Sequence, residues 1–161
     1  MIDSVYNQLA EALNRLPNGF PRIESGVEIR ILKKIFPPEQ AALASQLTGK
    51  FEPVETIARR AGQPAGEVSR LLFKMVRSGM VWLDQVDGQV CFRLAPFVVG
   101  IYEAQAELMD HELARLVEDY YSEGGTQGII GPQPALHRVV PAMHKVKAEA
   151  ILPYEDVRAI L

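Results

Sequence analysis

The fold is decided by residues 53–94, whose sequence is PVETIARRAGQPAGEVSRLLFKMVRSGMVWLDQVDGQVCFRL. Pro53 and Pro64 each suit the first turn of a helix, where a missing backbone N–H costs no hydrogen bond. Gly62 falls between them, where a left-handed residue would end the first helix. In the second helix apolar residues recur at helical period: Val68, Leu71, Leu72, Met75 and Val76. The stretch therefore predicts two consecutive helices joined by a tight turn.

A β-hairpin is predicted directly after the second helix. Ser78-Gly79 ends that helix, and the apolar run 80–83 has a strong preference for strands. Asp87-Gly88 is typical of a two-residue hairpin turn, whose central residues both need positive φ. The residues that follow alternate as in a half-buried strand, with Val90, Phe92 and Leu94 on one side. The order helix, helix, hairpin predicts a winged helix-turn-helix.

The polar face of the second helix is the candidate DNA-contacting surface. In a helix-turn-helix the second helix enters the major groove, and its early residues meet base edges. Arg70 and Lys74 are spaced to reach a phosphate or a guanine, and Arg59 and Arg60 are placed to hold the DNA backbone. The full candidate set is Arg59, Arg60, Ser69, Arg70, Lys74 and Arg77.

Two features favour protein contact instead of DNA binding. The hairpin segment 84–89, DQVDGQ, is acidic and carries no Lys or Arg with which to grip a backbone. Residues 53–94 hold six basic and four acidic side chains, a net charge of only +2. Affinity for DNA comes largely from neutralising phosphates, so this surplus is small for that task. Both interpretations remain open at the level of sequence.

Length and charge set the wider bounds. At 161 residues the chain can bury one core without disulfides, and its net charge of −3 argues against a general nucleic-acid coat protein. Residues 1–52 balance at zero and residues 95–161 carry five basic and ten acidic groups, so the basic bias is confined to 53–94. No apolar run could span a membrane and no N-terminal signal is present, so we expect a cytoplasmic protein without membrane contact.

The sequence offers little catalytic or metal-binding chemistry. The single cysteine, Cys91, excludes a disulfide or a four-cysteine cluster within one copy of the chain. We predict a buried, inert thiol, the alternative being an exposed, reactive one. The histidines have no paired-ligand spacing and are assigned to the surface: His111, His137 and His144. No nucleophile–base pair can be found, so we expect that the chain is not an enzyme and has no metal site.

The complete prediction is a mainly α protein with a small β wing (α+β). Residues 1–24 form a helix and loop that pack on the core, and residues 25–94 form the winged helix-turn-helix. Within it, Ser25-Gly26-Val27-Glu28 matches a capping box. Residues 95–123 are expected to form one long helix, or two with a bend near Met109-Asp110 and Asp110 as N-cap. Its apolar stripe either covers the first helix or builds a homodimer, and we favour the homodimer.

Residues 124–161 are predicted to be an extension rather than part of the core. The glycine-rich segment 124–131 lacks the flanking strand, the following helix and the Gly-Lys-Ser/Thr end of a phosphate-binding loop, so it is interpreted as a mobile linker. Short strands are expected at 136–140 and 148–152, and a helix from Pro153. Because the sequence stops inside that helix on apolar Ile160-Leu161, it has the character of a truncated chain.

Three segments carry a family resemblance: ESGVEIRILKKIFPPEQA at 24–41, FVVGIYEAQ at 97–105 and ILPYEDVRAIL at 151–161. With them the chain resembles, over nearly its whole length, the N-terminal region of bacterial and archaeal 4Fe-4S ferredoxin-type proteins that begin with a winged-helix domain. The resemblance implies a redox-linked parent protein whose cluster-binding cysteines lie in a later part. None of those cysteines is present here and Cys91 does not match a cluster ligand, so no cofactor is expected within this chain.

Two functions follow from these observations. The first is a DNA-binding, regulatory module of an iron–sulfur protein that contacts DNA through the second helix. The second is a protein-interaction and dimerisation module that docks an electron-transfer protein on a redox partner and binds no DNA.

Overall fold

The computed structural model describes residues 2–131. The architecture is mainly helical with one small antiparallel sheet, which confirms the predicted α+β class. The helices are α1 (Ile2–Asn14), α2 (Val27–Ile35), α3 (Pro38–Ala44), α4 (Val54–Ala61), α5 (Ala65–Arg77), α6 (Tyr102–Ala104), α7 (His111–Tyr120) and α8 (Gln127–Ile130). The strands are β1 (Glu52–Pro53), β2 (Val81–Val86) and β3 (Gln89–Leu94). Among residues 2–131, none of the helices combines the length and apolar character needed to cross a bilayer.

The sheet has the strand order β1-β3-β2 and is antiparallel throughout. Strands β2 and β3 form the predicted hairpin, in which Asp87 and Gly88 have φ values of 52° and 78°. Both values lie in the left-handed region that this turn requires. The short β1 pairs Glu52 with Phe92 and so closes the other edge of β3.

The turn between α4 and α5 also follows the prediction. Gly62 ends α4 in the left-handed conformation, with φ 64° and ψ 32°. The apolar stripe of α5 enters the core through Val68, Leu72 and Met75, each of which is fully buried. This inward stripe fixes the opposite, polar side of α5 as a solvent-exposed face.

A single core joins the N-terminal helices to the sheet and to α7. Helix α1 packs on α2 and α3, and α7 packs on α2. The apolar stripe of α7 is buried in this way, with Leu113, Leu116, Val117 and Tyr120 all inside the chain. A homodimer, which this stripe suggested at the level of sequence, would therefore need another surface.

The long helix expected over 95–123 is divided in the structure. Val98 and Val99 have extended backbone angles, and regular helix resumes as the short α6 and then as α7. Val98, Val99 and Gly100 have low helix propensity, which accounts for the late start of α6 at Tyr102. A second interruption precedes α7, where Met109 is extended, and it agrees with the alternative of two helices with a bend near Met109-Asp110. Asp110 is the N-cap of α7 as predicted, because its carboxylate accepts a hydrogen bond from the Leu113 backbone N–H at 2.8 Å.

The capping box predicted at the start of α2 is not formed. Gly26, with φ 71°, is the residue before the helix and makes no side-chain cap. The Glu28 carboxylate is instead fully buried and accepts a hydrogen bond from Arg22 Nε at 2.8 Å. The buried Glu28 carboxylate therefore pairs with the partly exposed Arg22 and not with the backbone N–H that a capping box would use.

The glycine-rich segment is packed on the chain where a linker was predicted. Gly125 is buried and packs so closely on Tyr120 that a Cβ at this position would overlap the Tyr120 ring. A Cβ on Gly128 would lie 2.8 Å from the Asn18 carbonyl oxygen and from Pro21 Cδ. These two glycines allow close packing rather than flexibility. The expectations for 136–140, 148–152, the helix from Pro153, His137 and His144 lie outside the described residues.

Candidate nucleic-acid interface

The exposed face of α5 carries a line of three cations. Arg70, Lys74 and Arg77 follow one another at four and three residues and point away from the buried stripe. Helical period alone places these spacings on one face. All three side chains are exposed. They are three of the six predicted site residues, and the structure places them together on one face of α5.

These cations line a cleft of about 370 Å³ between α5 and α3. Two acidic residues also line the cleft: Glu39 on α3 and Glu67 in the first turn of α5. Lys74 Nζ lies 3.6 Å from Glu39 Oε1, and both side chains are more than half exposed. An exposed pair at this distance contributes little, so the ammonium can exchange the carboxylate for another anion. The two carboxylates nevertheless lower the positive charge of the cleft.

Arg60 is the predicted site residue that makes the most contacts within the described chain. Its guanidinium donates hydrogen bonds to both carboxylate oxygens of Glu52, one of them at 3.1 Å, and to the Gln46 carbonyl at 2.5 Å. Burial alone would raise the pKa of the Glu52 carboxyl, but the hydrogen bonds from Arg60 and Thr48 outweigh it and lower that pKa below its ordinary value. Arg60 therefore ties α4 to β1 and the loop before it.

The other predicted residues surround the α5 face. Arg59 is exposed on the last turn of α4 and forms no ion pair within residues 2–131. Ser69 is half-buried on the flank of α5. Arg59 thus lies at the end of α4 and Ser69 on α5, on either side of the turn that joins these two helices.

An apolar patch lies on the hairpin side of α5. Phe73 and Leu83 are exposed to 42% and 38% and lie on the same side of the sheet, since Leu83 pairs with Phe92 and the Phe73 ring contacts Phe92. Val86 is also exposed but lies on the opposite face of β2 from Leu83. The Phe73 ring meets the buried Phe92 edge-on, with centroids 5.3 Å apart. Sequence reasoning missed Phe73, although its position off the apolar stripe of α5 was a signal.

The outer face of the sheet holds a second unpredicted feature. The Arg93 guanidinium lies between two aromatic rings, 4.7 Å from the Phe51 centroid and 4.4 Å from that of Trp82. Arg93 is the direct cross-strand partner of Trp82 in the hairpin. The register set by Asp87-Gly88 would have predicted this cation–π pair.

Cys91 lies in β3 with only 4% of its surface exposed, as predicted. In the part of the chain that the structure describes, no three His, Cys, Asp or Glu side chains are grouped as metal ligands. A 4Fe-4S cluster is held by four cysteine thiolates, and the whole sequence has one cysteine, so the residues of this chain do not fit such a cluster. Comparison of the chain with protein-family models, with curated proteins and with solved structures finds no match.

Proposed function

We propose that residues 25–94 form a winged helix-turn-helix that binds DNA, with α5 in the major groove. Three features support the fold assignment: the order α2, α3, β1, α4, α5, hairpin; the packing of α4 on α5; and the antiparallel sheet with β3 in the middle. In this class of module the helix before the hairpin is the one that reads DNA.

The observation that carries the DNA-binding proposal is the line Arg70, Lys74 and Arg77. At 1.5 Å per residue these side chains spread over about 10 Å of the helix axis, enough to meet more than one phosphate or base edge. The only ion pair among them within the described residues is the weak one between Lys74 and Glu39. Ser69 and Arg59 would add contacts to flanking phosphates.

The test is a fluorescence-anisotropy titration of the chain against mixed-sequence duplex DNA at low and at moderate salt. We expect binding that weakens steeply as salt rises, because neutralised phosphates release counterions. The double variant Arg70→Ala/Lys74→Ala should bind more weakly and reduce the salt slope by about 2, one for each lost phosphate contact.

The matched control removes the same charge from another surface. Arg30 on α2 and Arg115 on α7 are both exposed and lie on helices that pack on each other, not on α5. Arg30→Ala/Arg115→Ala should leave affinity nearly unchanged. Equal losses from the two double variants would show that net charge and not a directed face governs binding. An unchanged affinity and salt slope in the Arg70→Ala/Lys74→Ala variant would refute the proposal that α5 binds DNA.

A second candidate function is protein contact without DNA binding, as a dimerisation or docking module of an iron–sulfur electron-transfer protein. The exposed apolar patch of Phe73 and Leu83 favours it, and the hairpin end carries no basic side chain. Sedimentation of the chain and of Leu83→Asp separates the two functions. Self-association that Leu83→Asp abolishes, with no DNA binding at low salt, would support the second function. A strictly monomeric chain would count against it.

A further inference from the structure

A second cleft opens on the opposite side of the hairpin from α5, at the outer face of the sheet. Its volume is about 370 Å³ and its walls come mainly from three parts of the chain. Leu16 and Pro17 follow α1, Trp82 and Arg93 belong to the hairpin, and Pro96 and Val99 lie in the extended segment after β3. Asn18 Nδ2 donates to the Val98 carbonyl, which joins the first wall to the last.

The chemistry of this cleft is apolar with one cation. Leucine, proline, valine and tryptophan side chains form most of its lining, and none of the lining residues is acidic. The Arg93 guanidinium contacts the rings of both Phe51 and Trp82. Its only hydrogen bond within residues 2–131 is a long one, 3.5 Å from Nη1 to the Gly49 carbonyl oxygen. Its Nε–H is shielded from water and has no acceptor there.

A guanidinium that has no carboxylate partner and lies among apolar groups can donate further hydrogen bonds to an anion. Arg93 forms no ion pair with any carboxylate in residues 2–131. A planar guanidinium matches the geometry of a carboxylate, and the bond is strengthened where water is excluded. Small-molecule sites have this composition: a mostly apolar concavity of a few hundred Å³ with one or two fixed polar groups.

From this geometry we propose that the cleft binds a small amphipathic carboxylate. The carboxylate pairs with Arg93, and the apolar body lies against Trp82, Pro17, Pro96 and Val99. The site shares no lining residue with the α5 cleft, so the proposal stands independently of DNA binding.

The chain carries its own reporter for the test. Trp82 is the only tryptophan of the sequence and lines the cleft. Octanoate is the probe, since it absorbs no light that excites tryptophan, and octanamide is its neutral counterpart. We expect octanoate to change Trp82 fluorescence saturably and to bind about tenfold more tightly than octanamide, which lacks the charge-assisted bond.

Two substitutions locate the site. Arg93→Gln removes the cation and should lower octanoate affinity to that of octanamide. Because Arg93 also packs between two rings, the second variant leaves it in place. Val99 is 61% exposed, so Val99→Asp adds a repelling carboxylate without disturbing the core, and Val99→Thr is its isosteric control. Val99→Asp should lose octanoate binding about tenfold, whereas Val99→Thr should keep it.

The outcomes divide cleanly. Saturable octanoate binding that falls in Val99→Asp and not in Val99→Thr supports the site. Absence of octanoate binding, equal affinity for octanamide, or unchanged binding in Val99→Asp overturns it. A short acetylated peptide with an apolar residue at its free C terminus is a further probe. If it binds Trp82's cleft more tightly than octanoate, the occupant is a protein C terminus and the assignment to a small molecule is wrong.

Discussion

Removing the Arg60 side chain should destabilise the fold and leave the proposed DNA contact largely intact. The guanidinium joins three pieces of the chain: α4, the Gln46 carbonyl and the carboxylate of Glu52 on β1. A double-mutant cycle with Arg60→Ala and Glu52→Ala isolates the energy of this ion pair from all other effects of the two substitutions.

The expected magnitude follows from exposure and geometry. The Arg60 side chain is 33% exposed and that of Glu52 is 18% exposed, so the pair is neither fully solvated nor buried. We expect a coupling energy of about 1 kcal/mol, the upper end for surface pairs, because the contact is bidentate. Arg60→Ala alone should cost about 2 kcal/mol, since the Gln46 carbonyl also loses its donor.

The assay is urea unfolding followed by circular dichroism for the four proteins of the cycle. The pKa of the Glu52 carboxyl is lowered in the folded chain, so its contribution is complete above the ordinary value of 4.5 and is lost as pH falls through the folded value. The coupling energy should therefore shrink on acidification below pH 4.5. In the DNA titration, Arg60→Ala should weaken binding less than the neighbouring Arg59→Ala.

An exposed pair supplies the control. Lys33 and Asp3 are 2.5 Å apart with side chains 43% and 75% exposed, so solvent screens this pair and its coupling energy should be clearly smaller than that of Arg60 and Glu52. If Arg60 and Glu52 couple no more strongly than this pair, the reasoning that assigns Arg60 to the fold is refuted. A DNA affinity that falls more in Arg60→Ala than in Arg59→Ala would refute it as well.

Three further predictions test the core. Gly125→Ala should destabilise the chain by about 1–3 kcal/mol in urea unfolding, because the added Cβ overlaps the Tyr120 ring. Gly66→Ala is the control: the space around Gly66 in α5 is open, so this substitution should stabilise the chain by about 0.5 kcal/mol. Equal effects of the two substitutions would contradict the packing role of Gly125. Burial raises the pKa of the Tyr121 hydroxyl to about 12 and also raises that of Tyr120, so their stabilisation is complete below pH 10 and is lost as pH rises towards 12. Alkaline titration of phenolate absorbance with parallel unfolding measurements checks this, and normal titration of both groups would contradict it. The Cys91 thiol should react with an aromatic disulfide reagent only when urea unfolds the chain, since it is 4% exposed; rapid reaction of the folded protein would show that β3 is open.

The elements that the sequence predicts well are those with local signals. Pro64 at the start of α5, Gly62 after α4 and Asp87-Gly88 in the hairpin act through the backbone of their own residues. The cation line on α5 is equally local, since helical period alone aligns Arg70 with Lys74. These features did not depend on how distant parts of the chain pack.

Features that depend on tertiary contact were missed. The ion pair of Arg60 was not predicted because its partner Glu52 lies in another element. Gly125 and Gly128 looked flexible because their close neighbours, Tyr120 and the loop after α1, come together only in the folded chain. The four-residue capping-box pattern predicts a local partner for the Glu28 carboxylate, and it carries no information about the ion pair with Arg22, which lies outside that pattern.

The position of β1 also has a consequence for the order of folding. Only two residue pairs, Glu52–Phe92 and Pro53–Cys91, join β1 to β3, and roughly forty residues lie between them along the chain. Closing a loop of that length costs about 3 kcal/mol of chain entropy, more than two ladder pairs return. The hairpin and the α4–α5 pair, by contrast, are built from contacts between near neighbours. We therefore expect β1 to join the sheet last during folding and to leave it first in local opening. The ion pair between Arg60 and Glu52 opposes that opening, because it holds β1 against α4.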